Sequence, residues 1–305
     1  MQLVIRNSIS MKKFIVHIHQ IALVILLWAF HSPMLLAQNN ADSTLQLWPD
    51  GVPSAVAQTD LDKPKISVFL PNSKSNVKTG VVIFPGGGYA QLAMEKEGYK
   101  VAKWFNSLGI AAFVVQYRLG MRYQHPAQIM DAQKALASVR QKADSWGINL
   151  ENLGVMGFSA GGHLASTAGT HFNHPYIEIE NKDVLRPDFM ILIYPVITMK
   201  DDYTHRGSRT HLLGDEADSN LITRLSNELQ VNANTPPVFL IHGTDDSAVP
   251  VENSLEFYNA LLDYNIPVEM HLFEHGPHGF GLAFDDPVLS TWTELCRNWL
   301  KSKGF

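Results

Sequence analysis

Cysteine is nearly absent. Cys296 is the only one in 305 residues, which excludes an intramolecular disulfide framework and leaves no thiol near the N-terminus to accept a lipid. Basic charge is also scarce: 24 Lys and Arg face 29 Asp and Glu, a net charge of −5, and that balance speaks against nucleic acid or an anionic surface as partner. The apolar run Ile21 to Phe30 is about half the roughly 20 residues that a bilayer crossing needs, so no permanent membrane anchor is expected. No fixed-period repeat and no low-complexity linker divides the chain. The 13 histidines fall in groups such as HIH, HFNH and HGPH, which lack the acidic or cysteine neighbours of a closed zinc cage, so neither a metal nor another cofactor is expected.

What is present begins with an address. Met11-Lys12-Lys13, the apolar run after it and the small residue Ala37 that follows Leu35-Leu36 make the three parts of a secretory signal peptide, residues 1–37, with Met11 as a second candidate start and the cut after Ala37. These residues hold Arg6, Lys12 and Lys13 and no acid, so the trimmed chain keeps 21 basic against 29 acidic residues, net −8. Residues 38–305 then read as one catalytic domain, secreted or periplasmic; nothing in the sequence speaks to an oligomeric state.

From about Leu45, short apolar runs alternate with amphipathic stretches, as in a mostly parallel sheet whose strands are joined by helices. The expected strands are Val81 to Phe84, Ala111 to Gln116, Leu153 to Met156, Phe189 to Tyr194, Val238 to His242 and Val268 to Phe273. Gln128 to Trp146, Ser254 to Leu262 and Leu289 to Leu300 have helical spacing. The polar stretch from about 197 to 235 breaks this rhythm. It reads as an insertion above the carboxyl ends of the strands, near an active site, either as a lid or as a passive surface excursion.

The chemistry centres on Gly157-Phe158-Ser159-Ala160-Gly161, a G-x-S-x-G set between a strand and a helix, the setting of a nucleophile elbow. A bland glycine turn is the competing reading, and five residues alone do not decide between them. Phe84-Pro85-Gly86-Gly87-Gly88-Tyr89 adds the second part. It follows an earlier strand, where backbone N–H groups of an oxyanion hole belong, so the amides of Ala160 and of Gly87 or Gly88 are the expected donors. A phosphate-binding loop is the alternative, but no Lys-Ser/Thr follows and the spacing is not G-x-G-x-x-G. A serine needs an imidazole to take its proton and a carboxylate to orient that imidazole. HGTDDSAVP offers Asp245 or Asp246 at one later strand end, and EHGPHGF offers His275 or His278 at the last. His278 is preferred because it sits on a glycine-flanked loop tip, whereas His275 follows the strand too closely.

On these residues the chain resembles α/β-hydrolase-fold serine esterases of the acetylxylan-esterase-like group of bacterial carbohydrate esterases, relatives of feruloyl and lipase-like carboxylesterases. The resemblance covers nearly the whole chain after the signal. It includes LWPDGVP (Leu47 to Pro53), FPGGGY, the run Gly109 to Phe113 with Tyr117-Arg118-Leu119, GFSAGGHLA, GSRTHLLG (Gly207 to Gly214), HGTDDSAVP and HGPHGF. It implies the α/β-hydrolase fold, with helices on both sides of a mostly parallel sheet. In such proteins the acid stands as D-x-x-V-P, which selects Asp246, and the histidine precedes Gly-Phe, which falls on His278. Pro85 departs from lipase-like relatives, which carry histidine there; backbone donors are unaffected by the change. The implied activity is removal of acetyl groups from acetylated plant polysaccharide or oligosaccharide through an acyl-enzyme. Feruloyl or general carboxylesterase activity is the neighbouring alternative. A prolyl-oligopeptidase-like peptidase lacks room for its propeller, and a catalytically inactive carbohydrate-binding homologue is the reading from a different class. Tyr89 and Arg209 are the named substrate-binding candidates, with Trp104, His163 and His205 as further sugar neighbours; His163 faces either the site or the core.

Overall fold

The computed structural model describes residues 41–73 and 76–305; the signal-peptide expectation lies outside them. Eight strands form one sheet: β1 (Ser43–Gln46), β2 (Lys65–Phe69), β3 (Thr79–Phe84), β4 (Ala111–Gln116), β5 (Asn152–Phe158), β6 (Met190–Ile193), β7 (Val238–Gly243) and β8 (Val268–Phe273). Their order is β1-β2-β4-β3-β5-β6-β7-β8. The β1–β2 and β2–β4 pairs are antiparallel and every other pair is parallel. All six expected strands are present, with ends shifted by up to two residues. The antiparallel pair β1 and β2 was not anticipated: Ser-Thr-Leu-Gln at the sheet edge is too polar and short to signal a strand, and most of it is exposed.

Parallel strands joined by helices are covered on both faces, so consecutive side chains on one strand enter different cores. On β6, Met190 and Leu192 join one cluster while Ile191 and Ile193 join the other; on β7, Val238 and Leu240 separate from Phe239 and Ile241 in the same way. The first cluster is closed by α2 (Ala127–Lys142), α3 (Ser159–Thr170) and α6 (Glu252–Asp263), through residues such as Leu136, Leu164 and Phe257. The second is closed by α1 (Lys100–Ser107) and α7 (Thr291–Lys303), through Phe105, Trp292 and Trp299. The chain thus builds the α/β-hydrolase sandwich, and its apolar runs lack polar alternation because neither face of the inner strands meets water.

The chain leaves β3 for β4 on one side and returns to β5 on the other, so strand order reverses between β3 and β5. Crevices at such reversals, beyond the carboxyl ends of the strands, are where open α/β sheets bind ligands. Register places Phe84 opposite Gly157, which brings the glycine loop after β3 beside the elbow after β5. The polar insertion contains helices α4 (Arg206–Leu213) and α5 (Ser219–Arg224). It is bolted down: buried Asn227 donates through Nδ2 to His163 O at 3.1 Å and to Ser166 Oγ at 2.7 Å. These bonds join that part of the insertion to α3.

Candidate active site

Ser159 follows β5 directly and has φ +53, a left-handed conformation that a non-glycine residue holds only when its surroundings impose it. The two flanking glycines allow this turn to close. A β-carbon on Gly157 would lie 2.1 Å from Gly161 O, and one on Gly161 would lie 2.0 Å from Phe84 O. The elbow therefore packs against its own helix and against β3 at distances only glycine tolerates. Ser159 is thereby set at the N-terminus of α3, where the helix dipole favours negative charge.

His278 bridges two partners from the loop after β8. Its Nε2 lies 2.8 Å from Ser159 Oγ and its Nδ1 lies 2.7 Å from Asp246 Oδ2. A carboxylate only accepts, so Nδ1–H donates to Asp246 and Nε2 is left to accept the serine proton. Asp246, on the loop after β7, is held from every side. Its Oδ1 accepts the amides of Ala248 and Val249 at 2.9 and 3.0 Å, and His242 Nε2 stands 3.4 Å from Oδ2. Burial pushes this carboxyl up, but hydrogen bonds from His242, His278 and the Val249 amide outweigh burial and hold it well below the usual carboxylate range. It is ionised at neutral pH and fixes the tautomer of His278.

The rival residues pair with each other. Asp245 accepts the Gly276 amide at 2.7 Å and faces His275 Nδ1 at 3.2 Å, with 79% of the His275 side chain exposed. Two acids and two histidines thus sort into one pair on the serine and one pair at the surface.

The glycine loop is oriented by its carbonyls. Gly86 O accepts from Ala93 N at 2.9 Å, and Gly87 O accepts from Ala90 N and Gln91 N at 3.0 and 3.1 Å. In a trans peptide the N–H points opposite the C=O, so the amides of Gly87 and Gly88 turn away from the loop interior. Among the described residues neither amide has a hydrogen-bond partner, whereas the Gly86 amide is taken by Glu97 Oε2 at 2.8 Å. Ala160 N, in the first turn of α3, has no intrahelical acceptor. Gly87, Gly88, Ser159 and His278 line a cavity of about 370 Å³ together with Ala90, Ala93, His205 and His211.

Two substrate-binding candidates require correction. Tyr89 is fully buried; its hydroxyl lies 2.8 Å from His163 Nδ1, and its ring packs edge-on to Tyr117. It supports the glycine loop from the core because the loop turns at Tyr89, with φ +59. Arg209 is bound to Asp201 at 2.6 Å and is not part of the cavity wall. Trp104 packs on Trp292, and His163 is a core residue whose Nε2 donates to Leu225 O at 2.8 Å. Of the sugar candidates only His205 reaches the cavity.

Four residues escaped sequence reasoning. His211 Nδ1 donates to Gly88 O at 2.9 Å. Glu97, from the π-helical turn Met94–Tyr99, accepts from Tyr194 Oη at 3.0 Å as well as from Gly86. Tyr194 in turn accepts the Gly281 amide at 2.9 Å, and its ring packs tilted against His278 at 4.9 Å between centroids. His242 stands behind Asp246. Two of them stood inside quoted motifs without being assigned a role, His211 in GSRTHLLG and His242 in HGTDDSAVP.

Comparison with known proteins agrees with this architecture. The BD-FAE family description matches residues 66–261. An acetylxylan esterase from Xylanibacter ruminicola is 36% identical over 274 residues, covering 87% of this chain and 52% of that protein. Endo-1,4-beta-xylanase B from Butyrivibrio fibrisolvens is 37% identical over 75% of this chain and 36% of its own length. The chain thus spans about half or less of these two relatives. The crystal structure of an acetyl ester-xyloside bifunctional hydrolase from Caldicellulosiruptor lactoaceticus superposes with a TM-score of 0.78 at 40% identity, covering 86% of this chain and 97% of that one.

Proposed function

The chain belongs to the BD-FAE family, and from that premise we propose that it is a secreted serine esterase that removes acetyl groups from acetylated carbohydrates of the acetylxylan type. The observation that carries the proposal is the unbroken relay from Ser159 Oγ through His278 to Asp246, at 2.8 and 2.7 Å, beside two unpaired glycine amides. The acetylxylan and acetyl ester-xyloside names of the relatives support the choice of acyl group and sugar.

His278 Nε2 takes the Ser159 proton as Oγ attacks the acetyl carbonyl carbon. The carbonyl oxygen gains negative charge and receives the N–H groups of Ala160 and of Gly87 or Gly88. As the tetrahedral intermediate collapses, His278 hands its proton to the departing sugar oxygen, leaving acetate esterified to Ser159. Water, deprotonated by the same nitrogen, then attacks the acyl-enzyme and releases acetate and the free serine. Asp246 stays ionised throughout and stabilises the imidazolium.

Ser159→Ala tests this directly. Acetate release from acetylated xylan and from p-nitrophenyl acetate is expected to fall by about 10⁴-fold or more with the fold intact by circular dichroism. Parent-like release by the folded variant would remove Ser159 from the reaction.

A further inference from the structure

One wall of the cavity, beside the glycine loop, comes from the insertion, and two of its histidines have their protons assigned by hydrogen bonding. His205 caps α4: its Nδ1 accepts the Ser208 amide at 3.2 Å and lies 2.8 Å from Ser208 Oγ. A ring nitrogen that accepts a backbone amide carries no proton, so the hydrogen of neutral His205 is on Nε2. Burial and the nearby His278 keep this imidazole below its ordinary range, which favours the neutral ring. His211, at the other end of the same wall, is the reverse case. Its Nδ1 faces the carbonyl of Gly88 at 2.9 Å, so that nitrogen must carry the hydrogen and the neutral ring has its lone pair on Nε2. Among the described residues neither Nε2 has a protein hydrogen-bond partner, and both rings line the cavity. Gly207 lies between them, and even a β-carbon there would come within 3.3 Å of His205 Cε1.

In their neutral forms the two rings put one free donor and one free acceptor on a single wall, the complement of neighbouring hydroxyl groups, each of which can accept one hydrogen bond and donate another. Only the alcohol half of an acetyl ester carries hydroxyls that could meet such a pair, and His278, which must protonate the departing alcohol oxygen, lines the same cavity as both rings. Building on the esterase reading above, we propose that His205 and His211 form the subsite for the sugar half of the ester, with His205 Nε2–H donating to one hydroxyl oxygen and His211 Nε2 accepting from an adjacent hydroxyl. Neither touches the reacting atoms.

Asparagine separates the two halves of each ring, because its amide reproduces the Nδ1 position and has nothing at Nε2. His205→Asn keeps an oxygen for the Ser208 amide, and His211→Asn keeps an N–H for Gly88 O. The measurement is kcat/KM for an acetylated methyl xyloside and for p-nitrophenyl acetate, in the parent and both variants, with thermal unfolding as the fold control. Each variant should lose about tenfold on the sugar ester, with a loss on p-nitrophenyl acetate several-fold smaller, and the double variant should widen that gap. Equal losses on both esters would mean that the histidines only shape the catalytic loops, and would overturn the subsite. A parent that hydrolyses p-nitrophenyl acetate but not the xyloside ester would overturn the subsite and leave the serine esterase standing; activity on neither would sink both. Should a variant fail to fold, ¹⁵N-histidine NMR of Ser159→Ala titrated with methyl xyloside reads the same sites. Shifts at both Nε2 nuclei support the subsite, and their absence at saturating sugar overturns it.

Discussion

Asp245 and Asp246 have the same chemistry and neighbouring positions, and only their surroundings separate them. Asp246 has both oxygens committed within the fold and its side chain fully buried, whereas Asp245 is half exposed and pairs with an exposed histidine. Asp246→Asn is therefore expected to lower kcat by about 10⁴-fold, because the amide favours the wrong tautomer of His278. Asp245→Asn should cost less than about tenfold. Steady-state kinetics on p-nitrophenyl acetate would show the difference, and comparable losses would contradict the pairing. Glu97 works at the same scale through other residues. Its two carboxyl oxygens hold the Gly86 amide and the Tyr194 hydroxyl, and Tyr194 holds Gly281, so one buried side chain ties the glycine loop to the histidine loop. Glu97→Gln keeps the shape but leaves one of these donors without an acceptor, at a cost of about 1–3 kcal/mol. A fall in kcat with KM nearly constant, together with a lower Tm, is the expected result; an unchanged kcat would confine Glu97 to a structural role.

At the scale of elements, the insertion is anchored by histidines that must stay neutral. His163 and His171 direct Nε2 to the carbonyls of Leu225 and Arg224 at 2.8 and 3.0 Å, and the His125 amide donates to Leu212 O. Burial is the largest cause that lowers all three, to about 4. The sign follows from which state binds protons first. Between the ordinary value near 6.5 and about 4, the unfolded chain is protonated and the native one is not, so stability falls as pH drops through that window. The loss is on the order of 3 kcal/mol per histidine by the bottom of the window. Urea denaturation at pH 8, 6, 5 and 4 should show little change above pH 7 and a steep decline below 6, flattened by His171→Gln; a pH-independent midpoint would contradict it. The elements themselves differed in legibility. Inner strands were visible because burial on both faces writes them as unbroken apolar runs, and Ser159, Asp246 and His278 were visible because chemistry at strand ends falls in short, glycine-marked motifs. Glu97 and Tyr194 were hidden: their bond joins positions 97 residues apart in sequence, and neither has a local pattern that differs from an ordinary helix or strand residue. Tyr89 misled for the opposite reason, since its place in a glycine motif suggested a ligand contact while packing turned it into the core.

The whole molecule is held by its two apolar clusters and carries no covalent staple. Cys296 is the only cysteine and is fully buried, with burial pushing its thiol far up. Unfolding temperature should therefore be the same with and without dithiothreitol, although we place the enzyme in an oxidising compartment; a shift would reveal an intermolecular disulfide. Export is our proposal, resting on the basic, apolar and small-residue parts of residues 11–37. The position of the proposed cut is compatible with the fold, because among the described residues a tie to the sheet is made beyond it: Asp42 N donates to Val68 O at 2.8 Å and Asp42 Oδ2 accepts from Leu70 N at 2.7 Å. Cleavage after Ala37 would leave this clasp and β1 untouched, and would remove three positive charges and no negative ones. Expressed from Met11 in a bacterial host, the protein recovered from the periplasm or medium should begin at Gln38 by intact mass. It should also match a chain begun directly at Gln38 in Tm and in acetate release. Recovery only in the membrane fraction with residues 11–37 attached would replace the signal peptide with an anchor.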